Sequence, residues 1–205
     1  MMSIRHWLDL LFPPRPDELV VRGISIEEFL HSLAPKLATI TRPETIVLFS
    51  FSNPVVRSTI HEAKYHGNKR AFELLTKSLV AYLEKQGELS AETIIVPVPL
   101  GKRRFRERGF NQVEEVVHRA AKRTGQTVDT TILNRVRETE SQIALPRHAR
   151  EENMRGAFEA TRSADPAHTY IVVDDVVTTG ATLQAAIDAL KKAGAKHIIP
   201  LAFAH

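Results

Sequence analysis

Tyr170-Ile-Val-Val-Asp-Asp-Val-Val-Thr-Thr-Gly-Ala-Thr182 is the stretch on which the fold turns. Its first half is a short apolar, β-branched run, the pattern of a buried strand. Asp174 and Asp175 follow at the carboxyl end of that strand. Thr178, Thr179, Gly180, Ala181 and Thr182 then open a segment in which Leu183, Ala186, Ile187 and Leu190 recur at helical spacing. Small hydroxyl residues and a glycine at a helix start let backbone N–H groups close around an anion, and the helix dipole favours negative charge there. Two adjacent carboxylates one step away accept hydrogen bonds from two neighbouring hydroxyls of a sugar. A phosphate cradle beside a diol acceptor fits a ribose 5-phosphate. A plain Thr-capped strand–helix unit shares parts of this pattern, but seldom places both acids and Thr-Thr-Gly-x-Thr in this order. No Gly-Lys-Ser/Thr follows, which excludes a Walker A loop, and no G-x-G-x-x-G opens the helix.

Outward from this stretch, strands and helices alternate. Strands are expected over Thr45–Phe51, Thr93–Val98, Thr131–Asn134, Gly156–Glu159, 169–173 and 197–203, with helices over Pro54–Lys64 and Arg70–Lys85. Phe110, Val113, Val116, Val117 and Ala120 mark a further amphipathic helix closed near Gly125. Such alternation predicts an α/β fold with a mostly parallel sheet, whose ligands lie outside the carboxyl ends of the strands. Ser25-Ile-Glu-Glu28 has capping-box spacing and predicts a short helix.

Composition narrows the class. The chain has 205 residues, 43% hydrophobic and 25% charged, as expected of one α/β domain with a modest appendage. No apolar run suits membrane insertion, and nothing at the N-terminus reads as a secretory signal, so a cytoplasmic protein is expected. The absence of cysteine excludes disulfides, thiolate catalysis and cysteine zinc sites. The net charge is +4, and its distribution is uneven. Lys102-Arg-Arg-Phe-Arg-Glu-Arg108 holds five of the 28 bases and one of the 24 acids, which leaves 23 of each elsewhere. This segment, read as a basic loop after the Thr93–Val98 strand, points to a local polyanion-binding place.

The Asp174–Thr182 stretch resembles the phosphoribosyl-diphosphate (PRPP) loop of type I phosphoribosyltransferases. More specifically, Lys64-Tyr-His-Gly67, Val96-Pro-Val-Pro-Leu100, Arg106-Glu-Arg-Gly-Phe-Asn-Gln112 and Asp174-Asp-Val-Val-Thr-Thr-Gly-Ala-Thr182, in that order, resemble the ComF family. That family is phosphoribosyltransferase-like and is associated with bacterial competence for DNA uptake. The resemblance covers roughly residues 50–205. It implies a type I phosphoribosyltransferase-like domain over 45–205, with residues 1–44 as an N-terminal hood or appendage. Many family members carry a four-cysteine zinc ribbon after a Leu-Phe-Pro-Pro stretch. Here Leu11-Phe-Pro-Pro14 is followed by no cysteine, so apolar packing from Trp7, Leu8, Leu11, Phe12, Phe29, Leu30 and Leu33 must hold the N-terminal segment.

Residue by residue, the resemblance assigns the 5′-phosphate to Thr178, Thr179, Gly180, Ala181 and Thr182, and the ribose hydroxyls to Asp174 and Asp175. It assigns the diphosphate to Leu100, Gly101, Lys102, Arg103, Arg104, Arg106 and Arg108. A flap over the substrate takes in Arg137, Gln142, Arg147, Arg150 and Asn153. The chemistry falls to Asp174, Asp175 and Arg150, with Mg2+ held through PRPP and no metal ligated directly by the protein. The implied reaction transfers ribose 5-phosphate to an unidentified base or amine, with release of diphosphate. A non-catalytic PRPP sensor, or a module binding single-stranded DNA or a competence protein, stays open beside it, as does a homodimer. His66, before Gly67, reads as a helix-terminal residue, and an acceptor-binding role for it also stays open.

Overall fold

The computed structural model describes residues 13–87, 92–137 and 154–205. Two short helices come first, α1 (Pro16–Gly23) and α2 (Ile26–His31). Ser25 caps α2 as expected: its hydroxyl accepts from Glu28 N while Glu28 reaches back to Ser25 N. A short strand β1 (Lys36–Ala38) leads to β2 (Thr45–Phe49), then α3 (Pro54–His66) and α4 (Lys69–Lys85). After β3 (Thr93–Pro97) come α5 (Lys102–Arg108), α6 (Gln112–Thr124) and β4 (Thr127–Val128). The chain closes with β5 (Leu133–Arg135), β6 (Phe158–Ala160), β7 (Thr169–Val176), α7 (Ala181–Lys192) and β8 (His197–Ala204). The three asparagines Asn53, Asn68 and Asn111 each cap a helix by accepting backbone N–H groups of its first turn.

The main sheet runs β1-β2-β8-β7-β3-β4. Every pairing in it is parallel except the β1–β2 edge. A parallel sheet is buried on both faces, and β7 alternates accordingly. Ile171 and Val173 join one apolar layer with Leu75, Leu79, Val113 and Val116 of α4 and α6. Tyr170 and Val172 join the other with Leu183, Ile187 and Leu190 of α7. The predicted α/β fold with a mostly parallel, helix-flanked sheet is the fold observed. β5 and β6 pair antiparallel with each other outside the main sheet. Phe29 is fully buried, its ring centroid 5.1 Å from that of Phe49. Trp7, Leu8, Leu11 and Phe12 lie outside the described residues. Among the described residues no helix is long and apolar enough to cross a membrane.

Glu62, wholly buried on α3, pins the N-terminal helices to the body. Arg15 Nε and NH2 both donate to its carboxylate at 2.9 Å, and Asn68 Nδ2 adds a third hydrogen bond at 2.9 Å. Burial pushes this carboxyl up, but the Arg15 and Asn68 hydrogen bonds and the Arg15 and His66 charges outweigh it, leaving it below its ordinary 4.5. A depressed folded-state value contributes stability above the unfolded value and loses it as pH falls through the folded one. Glu62→Gln should therefore cost roughly 1–3 kcal/mol at pH 7. Thermal melts should show that difference shrinking below pH 4.5; a pH-independent difference would mean that packing, and not charge, is what the carboxylate supplies.

Candidate functional site

β7 runs on past Val173 to Val176, so the acid pair sits within its last turns, at the carboxyl edge of the sheet. Asp174 pairs in register with Ala202 of β8, and its Oδ1 accepts the N–H of Asp175 at 2.8 Å. Asp175 points to the opposite face, as strand alternation requires. There its Oδ2 lies 2.7 Å from Lys64 Nζ of α3 and accepts from Gln112 Nε2 of α6 at 2.6 Å. Its Oδ1 accepts Val176 N–H at 2.6 Å.

Their environments drive the two acids apart. Burial, and then the charge of Asp175, push the Asp174 carboxyl up to about 7, against smaller opposing pulls from the Asp175 N–H, Lys64 and Arg135. Burial works on Asp175 too, but the charge and hydrogen bond of Lys64, with those of Val176 N and Gln112, hold it below the ordinary carboxylate value. One acid is held charged while its neighbour titrates near neutrality, as at many functional sites.

Beyond Val177, Thr178 and Thr179 lead to Gly180, which adopts the left-handed conformation (φ +78°) at the start of α7. Gly180 cannot cap with a side chain, and no side chain at that position closes the helix end. Thr179 Oγ1 accepts only a long bond, 3.4 Å, from Ala181 N. The first-turn N–H groups, with the hydroxyls of Thr178, Thr179 and Thr182 around them, have the chemistry of an anion cradle. A turn from the β1–β2 connection braces this cradle: Arg42 N donates to Gln184 Oε1 at 2.7 Å, and Lys191 Nζ donates to Arg42 O at 2.9 Å.

The segment read as a basic loop is instead the helix α5. Its arginines and lysine are good helix formers, Arg103 and Glu107 pair at 2.9 Å across one turn, and Gly109 (φ +78°) ends it. The hydrogen bond from Arg103 and the nearby charges of Arg108 and Arg104 hold Glu107 below its ordinary value. Gly101 is the N-cap, and Leu100, Lys102, Phe105 and Arg106 line a shallow hollow of about 430 Å³. Arg108 turns the other way, donating to Gln112 Oε1 at 3.2 Å and lying 5.0 Å from the centre of the Tyr65 ring.

Of the flap residues, Arg137 is described and donates to Arg155 O at 2.8 Å. Gln142, Arg147, Arg150 and Asn153 lie outside the described residues. A cleft of about 1130 Å³ is lined by α7, β6 and the β1–β2 connection; it reaches Thr179, Gly180 and Ala181 but neither acid. His66 does end α3 before the left-handed Gly67. With His61 and Glu62 it brings three ligand-type atoms within 4.8 Å of one another. The Glu62 carboxylate is already spent on Arg15 and Asn68, so this group does not have the chemistry of a cation site.

Two contributors escaped the sequence reading. Lys64 and Gln112 stand inside quoted motifs, yet only the fold reveals that both converge on Asp175. Their signal was their place beside the helix-ending Gly67 and the helix-capping Asn111.

A family model described as a phosphoribosyl transferase domain matches residues 113–204. The DNA utilization protein YhgH of Salmonella typhimurium is 30% identical over 155 residues, which cover 74% of this chain and 68% of that protein. Its namesake from Escherichia coli K12 is 28% identical over 171 residues, covering 80% of this chain and 75% of that protein. Competence protein F of Haemophilus influenzae is 32% identical over 113 residues, 54% of this chain and 49% of that protein.

Proposed function

Because the chain belongs to the ComF-type family of phosphoribosyltransferase-like proteins, we propose that it binds PRPP at the β7–α7 junction and transfers ribose 5-phosphate to a base or amine acceptor. The observation that carries this reading is the glycine-opened start of α7, with threonines on both sides of Gly180, a few residues beyond the acid pair at the end of β7. The 5′-phosphate takes the N–H groups and hydroxyls of residues 178–182. Asp174 and Asp175 take the ribose hydroxyls, which orients C1 toward the open edge of the sheet. α5 supplies positive charge on the diphosphate side through Lys102, Arg103, Arg104 and Arg106, which follow its N-cap Gly101. As the bond from C1 to the diphosphate oxygen breaks, its electron pair leaves with the diphosphate and the ribose gains oxocarbenium character. Positioning and electrostatics carry such a step without a protein nucleophile.

Mg2+ fits this donor set: Asp174 and Asp175 offer hard carboxylate oxygens at the strand end, and the Asp175 charge, second to burial, helps to raise the Asp174 carboxyl. Bound with PRPP, the ion would neutralise diphosphate charge; Asp174 and Asp175 are the residues beside which it would lie. The relatives are named for DNA utilization and competence; we carry that context to this chain as part of the same proposal.

Calorimetry with PRPP and MgCl2 tests the reading. Saturable binding is expected, weakened on the order of 10-fold each by Thr179→Ala and Thr182→Ala through lost phosphate hydrogen bonds. Diphosphate release with a panel of bases and amines then tests turnover. Saturable PRPP binding without release for any acceptor would favour a sensor, and salt-dependent single-strand binding without PRPP binding would replace the proposal altogether.

A further inference from the structure

Lys64 is drawn into the site by its fold but has no task in the reading above. It lies in the last turn of α3, next to Tyr65, with its ammonium 2.7 Å from Asp175 Oδ2. The same oxygen accepts from Gln112 Nε2 at 2.6 Å. A carboxylate oxygen has two lone-pair positions, so both on Oδ2 are taken. Asp175 Oδ1 already accepts Val176 N–H. One position on Oδ1 stays open for a single hydroxyl, so engaging a second ribose hydroxyl, or the first through Oδ2, requires a present partner to let go.

The two partners differ in their freedom to do so. Gln112 opens α6 beside its cap Asn111, and Arg108 holds its Oε1 at 3.2 Å. Lys64 is 22% exposed, on a flexible four-carbon stem with three rotatable donors. The ammonium is the group that moves. Its surroundings say where: Tyr65, the next residue, carries the Arg108 guanidinium over its ring at 5.0 Å, and Arg108 ends the basic helix α5. The end of α3 that carries Lys64 thus touches Asp175 through Lys64 and the end of α5 through Tyr65.

Resting on the PRPP reading, we infer that Lys64 is an exchange residue, which yields Asp175 to the ribose hydroxyls and takes the diphosphate as its new counter-charge. No bond is made or broken; one ion pair replaces another, so the ammonium is never left unpaired. The exchange couples the two halves of the ligand. Ribose 5-phosphate, which lacks the diphosphate, gains its fuller contact with Asp175 only by breaking the Lys64–Asp175 pair and offers the ammonium nothing in return.

The test compares the two ligands on the full chain. In calorimetry with MgCl2, Lys64→Gln should weaken PRPP roughly 10- to 100-fold, leave ribose 5-phosphate unchanged or tighter, and Lys64→Arg should recover most of the PRPP affinity. Equal losses for both ligands would make Lys64 a structural brace for Asp175, and unchanged PRPP affinity would remove it from the diphosphate; either overturns the exchange. Lysine acylation of the unmodified protein, read by mass spectrometry, gives a check that needs no variant. Lys64 should become more reactive with ribose 5-phosphate bound and stay protected with PRPP bound, and equal protection by both would refute the inference. If the parent protein binds no PRPP at all, the phosphoribosyl reading fails, and the exchange fails with it.

Discussion

Gly180→Ala should lower the melting temperature by about 10 °C or more and remove measurable PRPP binding. Gly180 sits at φ +78°, where an L-residue is strained. A Cβ there would fall well inside van der Waals distance of the Ile40 carbonyl oxygen, 3.0 Å from the Ile40 carbonyl carbon and 3.0 Å from Thr41 Cγ2. The Ile40 backbone has little room to retreat. Arg42 N and O are both tied to α7, and Thr41 Oγ1 bonds Pro43 O at 2.7 Å and Thr45 Oγ1 at 2.5 Å. Strain and overpacking together should cost roughly 3–5 kcal/mol. Gly109 supplies the control: it has the same φ of +78° with nothing within 4 Å of its Cβ position. Gly109→Ala should show the conformational cost alone, about 1 kcal/mol. Equal melting temperatures for the two variants would mean that the turn over Gly180 yields freely, and that it does not shape the phosphate cradle.

That comparison bears on what the sequence can disclose. The β7–α7 junction was legible because its signals are local: an apolar β-branched run, two acids, then small residues and a helical period within a dozen positions. The alternation of Tyr170 and Val172 with Ile171 and Val173 between two apolar layers follows from the strand period alone. β1 was not legible. Lys36-Leu-Ala38 has no strand signal of its own, and it is a strand only because β2 offers an edge to pair with. α5 was hidden by its own charge: five bases in seven residues read as a basic, polyanion-binding loop, although each is a good helix former and Glu107 is placed to pair with Arg103.

The site followed the same rule. Gly180 was legible as the glycine that opens a helix after a strand, but its second constraint, the carbonyl of Ile40 pressed against it, comes from a turn remote in sequence. Asp174 and Asp175 looked equivalent. They differ because strand alternation gives one a direct ion pair with Lys64 and a hydrogen bond from Gln112, while Lys64 and Arg135 act on the other only as weaker charges. A pair of identical residues in sequence becomes two different chemical groups in the fold, and that difference has a measurable sign.

Asp174→Asn should stabilise the protein while weakening its ligand. Burial and the Asp175 charge raise the folded-state value of Asp174 from an ordinary 3.8 to about 7. A raised folded-state value means that the favourable contribution is complete below the unfolded value and is lost as pH rises through the folded one. Above pH 7 the folded chain therefore carries the full cost of ionising this group, roughly 1–3 kcal/mol after allowance for its partial exposure. Asparagine removes the charge but keeps an oxygen to accept the Asp175 N–H that Asp174 Oδ1 now accepts at 2.8 Å. Melting temperatures at pH 8 should rise by about 3–9 °C in the variant. The gain should shrink as pH falls from 7 toward 3.8 and vanish below that, where the parent carboxyl is protonated in both states. Binding should move the other way: an amide is a poorer acceptor for a ribose hydroxyl than a carboxylate, and PRPP affinity at pH 8 should fall roughly 10- to 100-fold. Parent affinity should itself weaken as pH drops below 7, whereas the variant's should lose that dependence. A structural acid behaves otherwise, since its removal destabilises the fold and leaves the ligand alone. If Asp174→Asn melts lower at pH 8, or binds PRPP as the parent does, then Asp174 is a fold residue and the ribose must be held by something other than the acid pair.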